Sequence, residues 1–405
     1  MLRRLELHAF KAYEDEIVEL EPLSILVGRN GSGKTSVLQA IEFFHGLVVQ
    51  TLGDHLGRHG WEYKDLPRLK SENLEFGFAA LIDLDEGLYW WNVRLGKRLR
   101  PGVAVETVIR VADNRYDDVV AGAPPDVDAD TELMVRVGRE MERLDESAGE
   151  WEKVKQTLTS SWLALLDPEE DAERYPGLIA VLDWASRIVP YVVLDPNRLR
   201  EPSRLSADGI GVAGESLAGF LRFLRSRRPE AFQRVLDRVR GAYPQFQDVE
   251  IRAEGTSAFS IAVRESWTEG RHPLLNARQA SDGLLRLFAF AALPELSPAP
   301  TLLMVDELEN GVHPALLGAL VSLLASLADE DGIQVVATSH SPIVLNYSDP
   351  ESIILTFRGE NGRAETVALD DTLGYQRLHA TFGPGEMWVA LGEDGLIRGP
   401  KKRGR

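Results

Sequence analysis

The feature that most constrains this chain is a glycine-rich loop between a short apolar run and an amphipathic segment. Residues 28–35 read GRNGSGKT, which fits the whole pattern G-x-x-x-x-G-K-[ST]. Residues 24–27 have the character of a buried parallel strand, and residues 34–49 have helical spacing. Glycines allow backbone N–H groups to close around phosphates, and a helix N-terminus adds partial positive charge there. The sequence therefore predicts a phosphate-binding loop, which we call the phosphate loop.

The polar side chains of the phosphate loop have expected roles. The Lys34 ammonium should reach the β- and γ-phosphates of a nucleotide, which makes Lys34 a catalytic candidate as well, and the Thr35 hydroxyl should bind Mg²⁺. A glycine turn that binds nothing is the alternative, and the complete pattern with its flanks argues against it. The expected nucleotide-binding residues here are Asn30, Gly31, Ser32, Gly33, Lys34, Thr35 and Ser36.

Two acidic residues follow an apolar run in the last third of the chain. Asp306 and Glu307 come directly after residues 301–305, which read as a parallel strand. A carboxylate at such a strand end can hold Mg²⁺ through water, the role expected of Asp306. Glu307 is then placed to orient or deprotonate an attacking water. An exposed acidic turn is the alternative interpretation, which the phosphate loop disfavours.

A histidine and a serine complete the candidate set. His340 follows the apolar run 333–337, and ligands of open α/β sheets bind at the carboxyl ends of strands, so we expect His340 and Glu307 to face one crevice. Ser281 precedes a helical stretch as its N-cap, and Gly283 lies in the first turn. A helix N-terminus is an anion site. A surface histidine and an ordinary helix cap are the alternatives.

The pattern of apolar residues predicts an α/β fold with a mixed or parallel core sheet. Period-two segments over residues 74–111 predict an antiparallel β subdomain, and residues 131–188 read as a helical insertion with Trp151, Trp162 and Trp184 as packing anchors. Strand and helix alternate again in the last third. The expected organisation is an N-terminal lobe over 1–120, a helical insertion over 121–190, a C-terminal lobe over 191–385 and a tail over 386–405.

Composition bounds the class of protein. The chain has 405 residues, a formal net charge of −18 and no cysteine. These values exclude a disulfide scaffold, a thiolate metal site and a surface coated with phosphate-binding charge, although not a local basic groove. Neither a signal peptide nor a membrane span is expected, so a cytoplasmic location follows by default and no membrane partner is expected.

The order of these elements resembles the ABC-type P-loop ATPase heads of the RecF, SMC-like and OLD families. Ser281 to Gly283 match the ABC signature, with Ala280 where leucine is common. Residues 306–314 match the Walker B and D-loop region, and His340 matches the switch histidine. Residues 9–13 look like the opening segment of these heads, with Lys11 in place of the usual arginine near the nucleotide.

This resemblance implies a head that uses ATP and Mg²⁺ and forms a homodimer or higher oligomer. In the family, the signature serine and glycine of one protomer, here Ser281 and Gly283, contact the γ-phosphate held by the phosphate loop of another. Hydrolysis then releases the dimer. Residues 195–198 are preferred for the Q-loop over Gln50, which lies too close to the phosphate loop.

The chain also departs from these families in ways that bear on its partners. It lacks the long heptad arm and the cysteine hook of SMC-like proteins, and few residues follow His340, so no built-in nuclease is expected. Residues 383–388 resemble the ending of stand-alone ATPases of bacterial anti-phage systems. A separate effector protein, a nuclease or a toxin, is then the expected partner.

Basic residues leave the choice of partner open. Arginines crowd residues 198–240, and Arg94, Lys97, Arg98 and Arg100 form a second patch. A solvated basic face is one interpretation, and a surface for double-stranded DNA is the other. Two classes of function remain: an ATP-hydrolysing sensor or motor that acts on DNA or an effector, including DNA repair, and a nucleotide-gated binding platform with slow hydrolysis.

Overall fold

The computed structural model describes residues 1–68, 75–97, 101–126, 130–137, 140–155, 160–190, 194–211, 213–266, 270 and 272–398. The chain divides into two compact units that interleave along the sequence. Unit 1 comprises Met1–Glu21, Gly28–Ile188 and Ile354–Val367, and unit 2 comprises Pro22–Val27, Val189–Ile353 and Ala368–Arg405. Each unit is thus assembled from segments that are distant in sequence.

The described residues form both helices and strands. The elements up to residue 190 are β1 (Leu2–His8), β2 (Asp15–Glu19), β3 (Leu23–Val27), α1 (Lys34–Val49), α2 (Leu52–His59), β4 (Phe76–Leu84), β5 (Gly87–Lys97), β6 (Pro101–Arg110), α3 (Tyr116–Val120), β7 (Thr131–Val137), β8 (Glu140–Asp145), β9 (Glu150–Lys155), α4 (Pro176–Ser186) and β10 (Ile188–Val189). The later elements are α5 (Pro196–Leu199), β11 (Ser203–Arg204), α6 (Leu217–Arg227), α7 (Pro229–Ala242), β12 (Phe246–Glu254), β13 (Ala258–Glu265), β14 (Leu274–Asn276), α8 (Asp282–Ala292), β15 (Leu302–Val305), α9 (Pro314–Asp329), β16 (Gln334–Ser339), α10 (Pro342–Asn346), β17 (Ile353–Arg358), β18 (Ala364–Ala368), α11 (Leu373–Leu378) and α12 (Pro384–Arg398).

Unit 1 contains an antiparallel sheet of eight strands in the order β2-β1-β4-β5-β6-β7-β8-β9. The antiparallel strands predicted from the sequence over residues 74–111 are confirmed: β4 pairs with β5, and β5 pairs with β6. Helix α1 packs its apolar side on this part of the chain through rings: Phe44 lies with its centroid 4.8 Å from Trp91, and Phe43 lies 5.1 Å from Phe78. Aromatic packing therefore supports the helix that follows the phosphate loop.

The helical prediction is wrong for residues 131–155, which form β7, β8 and β9. Their glutamates, arginines and lysines favour helices, but here they pair across strands: Glu142 with Lys153 at 2.8 Å and Arg143 with Glu152 at 3.4 Å. Cross-strand pairs outweigh a modest helix propensity. Among the described residues of 121–190, α4 is the only α-helix. Trp162 and Trp184 are buried as expected, whereas Trp151 is 43% exposed on the edge strand.

Unit 2 contains the parallel strands that the sequence predicted. β16 lies between β15 and β3, with Val305 opposite Ala337 and Ser339 opposite Val27. The carboxyl ends of the three strands therefore lie at one edge of the sheet, and the phosphate loop follows directly after Val27. The apolar core beside this sheet includes α8, which is buried along nearly its whole length.

Unit 2 also contains an antiparallel sheet, in which β13 pairs with β11, β12 and β14. Helices α6 and α7 meet at Pro229, because proline suits the first turn of a new helix. Among the helices in the described ranges, none has both the length and the apolarity needed to cross a bilayer.

Candidate functional site

The phosphate loop curls around a buried lysine. Lys34 is 6% exposed, and its Nζ donates to the carbonyl oxygens of Gly28 at 2.8 Å and Arg29 at 3.1 Å. Gly33, the N-cap of α1, has φ 128°, and Gly31 has φ 77°. Both values lie in the region that favours glycine, so the loop needs glycine at these two positions. The ammonium is held beside the backbone groups that are expected to receive phosphates.

Two neighbours in unit 1 pack closely against the loop. Thr356 of β17 shares a hydrogen bond of 2.6 Å with the Ser32 hydroxyl, and a Cβ at Gly28 would lie 2.1 Å from the Thr356 carbonyl oxygen. A Cβ at Gly33 would lie 2.7 Å from the Tyr13 hydroxyl. That hydroxyl is buried without a hydrogen bond to any described residue, and burial raises the pKa of Tyr13. The sequence did not predict that Thr356 and Tyr13 pack on the loop, because neither residue lies next to the loop in the sequence.

The remaining residues of the loop differ in exposure. Asn30 and Thr35 are exposed and Ser36 is half-buried, so the Thr35 hydroxyl is open to a ligand at the first turn of α1. Lys11 lies outside the loop and contacts α1: its Nζ donates to Gln39 Oε1 and sits 4.5 Å from the centre of the Trp61 ring. Burial lowers the pKa of Lys11 to about 8. Lys11 therefore stays largely protonated at neutral pH.

In unit 2, a threonine binds both of the acidic residues that follow β15, one through its carboxylate and the other through its backbone. Thr338 is fully buried at the end of β16; its hydroxyl donates to Asp306 Oδ1 and accepts from the backbone N–H of Glu307 at 2.8 Å. The Thr338 carbonyl also accepts from the Leu308 N–H at 2.9 Å. We call residues 306–310 the carboxylate turn. Thr338 was not among the predicted residues, although its place one strand from Asp306 was a usable signal.

Glu307 has an unusual backbone within this turn. Its φ is 51°, in the left-handed region, which costs a residue with a side chain about 1–2 kcal/mol. The side chain is exposed, and its carboxylate accepts from Asn310 Nδ2 at 3.4 Å. Strain of this kind concentrates at functional sites. The conformation turns the Glu307 carboxylate into solvent while Leu308, the next residue, is buried.

His340 is tied to the carboxylate turn through its backbone. Glu309 accepts from the His340 N–H with Oε1 and from the Ser339 hydroxyl with Oε2 at 2.8 Å. The Ser339 hydroxyl accepts in turn from the Ser341 N–H at 3.0 Å. The structure thus brings His340, Asp306 and Glu307 together on neighbouring strand ends of unit 2, and Glu309 is a positioning residue that the sequence did not single out.

Ser281 caps α8, as predicted. Its hydroxyl accepts from the Leu284 N–H at 3.2 Å, and the residue is exposed. Gly283 is buried, and a Cβ there would lie 2.8 Å from Leu316 Cδ1. Asp282 pairs with Arg200, whose guanidinium also donates to the Ala280 carbonyl at 3.0 Å. These contacts fix the signature segment, and the exposed end of α8 remains open to an anion.

The segment preferred for the Q-loop lies against the same helix. Arg200 donates to the Pro196 carbonyl at 2.8 Å, and Arg286 of α8 donates to the Leu194 carbonyl at 3.0 Å. Burial lowers the pKa of Arg286. Residues 191–193 before it lie outside the described residues.

Most of the predicted basic region is engaged with acidic side chains. Arg234 and Arg238 both bond Glu295, which is 2% exposed, and Arg240 bonds Asp237 at 2.7 Å. Burial raises the pKa of Glu295, but the two arginines lower it more, so that the net pKa lies below the usual value. Less free positive charge remains here than the sequence suggests. In the second patch, Arg98 and Arg100 lie outside the described residues.

The residues present fit Mg²⁺, a hard cation that takes one or two protein oxygens beside those of a phosphate. Thr35 is exposed, and Asp306 accepts from the Thr338 hydroxyl with Oδ1, which leaves its second carboxylate oxygen, Oδ2, for a cation. Both are oxygen donors, so they suit this metal better than a soft one.

Parts of the chain match known families and one known protein. Residues 157–346 match the family described as "AAA domain, putative AbiEii toxin, Type IV TA system", and residues 1–53 match the family described as "AAA ATPase domain". The OLD nuclease of Thermus scotoductus (strain ATCC 700910 / SA-01) is 44% identical over 52 residues, which are 13% of this chain and 10% of that protein. The match therefore spans only a tenth of the length of that relative.

A solved structure of an SMC head shares the fold of this chain. An SMC head bound to the C-winged helix domain of ScpA matches with a TM-score of 0.53 and 16% identity, over 90% of this chain and 97% of that one. The SMC head domain from Thermotoga maritima matches with a TM-score of 0.44 and 15% identity, over 91% and 98%. The chain thus has a mixed α/β fold like that of the first of these SMC heads, and two parts of its sequence match families of AAA ATPase domains.

Proposed function

We propose that this chain hydrolyses ATP and that two copies dimerise around the nucleotide. The observation that carries the proposal is the hydroxyl of Thr338, which fixes Asp306 and the Glu307 backbone at the sheet edge formed by the carboxyl ends of β15, β16 and β3. A loop that receives phosphates and an exposed carboxylate that can orient water are the parts that phosphoryl transfer to water needs.

Each candidate residue then has a defined task. Lys34 exchanges its bonds to the Gly28 and Arg29 carbonyls for phosphate oxygens, and Asn30 to Ser36 supply backbone and hydroxyl donors. Glu307 orients the attacking water, and His340 contacts the γ-phosphate. Thr35 and Asp306 would hold Mg²⁺, which neutralises negative charge on the β- and γ-phosphates. Lys11, which lies beside α1, donates a hydrogen bond to the nucleotide.

Dimerisation rests on the exposed start of α8. Ser281 and Gly283 offer a capped helix N-terminus to an anion, and the resemblance assigns that anion to the γ-phosphate bound by a second copy. ATP then stabilises the dimer only while the γ-phosphate is present, because only this group interacts with both copies.

Two experiments test the proposal. Glu307→Gln should retain ATP and accumulate as a dimer in light scattering with ATP and Mg²⁺, while Lys34→Ala should stay monomeric. Mixing the inactive variants Lys34→Ala and Ser281→Arg should restore turnover, because a mixed dimer contains one intact composite site. A Glu307→Gln chain that remains monomeric with ATP and Mg²⁺, or a mixture that stays inactive, would count against a shared site.

The process that ATP drives is proposed to be phage defence through a separate effector protein, a nuclease or a toxin. The toxin named in one family description and the OLD nuclease match support this choice. The alternative is a slow nucleotide-gated platform, or a DNA repair ATPase. ATP turnover measured with and without double-stranded DNA separates them: stimulation supports DNA-linked work, and negligible turnover with tight ATP-driven assembly supports the platform.

A further inference from the structure

The phosphate loop is held by a cation that its motif does not predict. Arg358, the last residue of β17, donates with Nε and Nη2 to the carbonyl oxygen of Gly31 at 2.9 and 2.8 Å. Its Nη1 donates to the Gly362 carbonyl at 3.0 Å, so the guanidinium is anchored on the turn between β17 and β18. All three residues belong to unit 1.

Gly31 has little else to hold it. It is exposed, its φ is 77°, and a Cβ at this position would meet nothing within 4 Å. The C=O of one residue and the N–H of the next point in opposite directions across a planar peptide. Fixing the Gly31 carbonyl therefore also fixes the Ser32 N–H, which donates to the Arg29 carbonyl at 3.1 Å. The Gly31–Ser32 peptide is bonded at both ends.

The orientation of this peptide matters for an anion. A carbonyl oxygen that turned toward a phosphate would repel it, whereas an N–H group attracts it. Arginine is suited to prevent that rotation, because its fork supplies two N–H donors in a fixed plane, and a lysine supplies a point charge. A second contact from the same strand, between Thr356 and Ser32, holds the neighbouring side chain without acting on the Gly31 carbonyl.

We propose that Arg358 is a positioning residue for the nucleotide. It keeps the Gly31 carbonyl turned to the β17–β18 turn, so that the loop is ordered before phosphate arrives. This inference rests on the proposed ATP-binding function. Because the loop groups concerned receive phosphates common to ATP and ADP, the affinities for both nucleotides depend on Arg358 to the same degree.

The test compares Arg358→Ala, Arg358→Lys and a matched control, Arg363→Ala, by calorimetric binding of ATP and of ADP with Mg²⁺. Arg363 lies on the same turn and pairs with Glu14 instead of the loop. We expect Arg358→Ala to weaken both nucleotides by about tenfold, which corresponds to about 1.4 kcal/mol. Arg358→Lys should recover part of the loss, and Arg363→Ala should bind like the unmodified chain. Melting temperatures of the free variants verify that each is folded.

Other results overturn the inference in distinguishable ways. A loss confined to ATP means that Arg358 contacts the γ-phosphate directly. Unchanged affinities in Arg358→Ala, or full recovery in Arg358→Lys, mean that the forked contact has no positioning role. If the unmodified chain binds neither nucleotide, the proposed ATP-binding function fails, and this inference with it.

Discussion

The phosphate loop and the carboxylate turn are held in place by different means. The loop is supported from outside by Thr356, Arg358 and Tyr13, which come from the two ends of the chain. The carboxylate turn is held by one segment, residues 338–340 at the end of β16, and contains a left-handed residue, Glu307. Supports from several segments make a loop rigid, whereas a strained turn held by one segment can rearrange at lower cost.

This difference suits different tasks. A phosphate receptor gains affinity when its donors are ordered in advance, since less freedom is lost on binding. A water-orienting carboxylate must act on a group that changes during turnover, so a poised conformation is useful there.

Gly28→Ala should have the largest effect, because the new Cβ would lie 2.1 Å from the backbone oxygen of Thr356. Backbone cannot move aside as a flexible side chain can, so we expect a loss of about 3 kcal/mol in the free energy of unfolding, with loss of ATP binding. The matched control is Gly31→Ala, which meets nothing within 4 Å and carries only the cost of φ 77°, about 1 kcal/mol. Urea unfolding measures both; equal losses would contradict tight packing at Gly28.

Thr338→Val should disrupt the carboxylate turn while preserving the shape of the residue. The Asp306 carboxylate loses its donor and the Glu307 N–H loses its acceptor, so we expect a loss of about 2 kcal/mol in stability and a larger fall in kcat than in ATP affinity. Thr338→Ser keeps the hydroxyl and should restore most of kcat. A Thr338→Val chain with normal turnover would show that the Thr338 hydroxyl is not needed to position Asp306 and Glu307.

The contrast between the regions also explains what the sequence could predict. The phosphate loop, the cap at Ser281 and the strand ends that carry Asp306 and His340 are local patterns, so the sequence alone located them. Arg358 and Thr356 support the loop across more than three hundred positions, and no local period reports such a contact. The strands over residues 131–155 were missed for a related reason: partners on neighbouring strands outweigh the helix propensity of their charged residues.

The free energy of unfolding should depend on pH through Glu42, which lies on α1, the helix that follows the phosphate loop. Glu42 of α1 is 4% exposed, and burial raises its pKa to about 7. The folded state therefore holds a proton that the unfolded state has already released, so stability falls as pH rises from about 4.5 toward 7. Glu42→Gln should remove that fall, a difference of about 2 kcal/mol at most. Melting temperatures at pH 5 and pH 7.5 measure it; parallel curves for both chains would refute it.

Glu307→Gly should give the smallest change in stability, and one of opposite sign. Glycine adopts φ 51° without a clash, so releasing the strain should raise the free energy of unfolding by about 1 kcal/mol, while ATP hydrolysis is lost with the carboxylate. Glu307→Gln is the control, because it removes the charge and keeps the side chain in the left-handed conformation. If the two variants are equally stable, the backbone of Glu307 is not strained. The carboxylate turn then differs from the phosphate loop only in the number of chain segments that hold it.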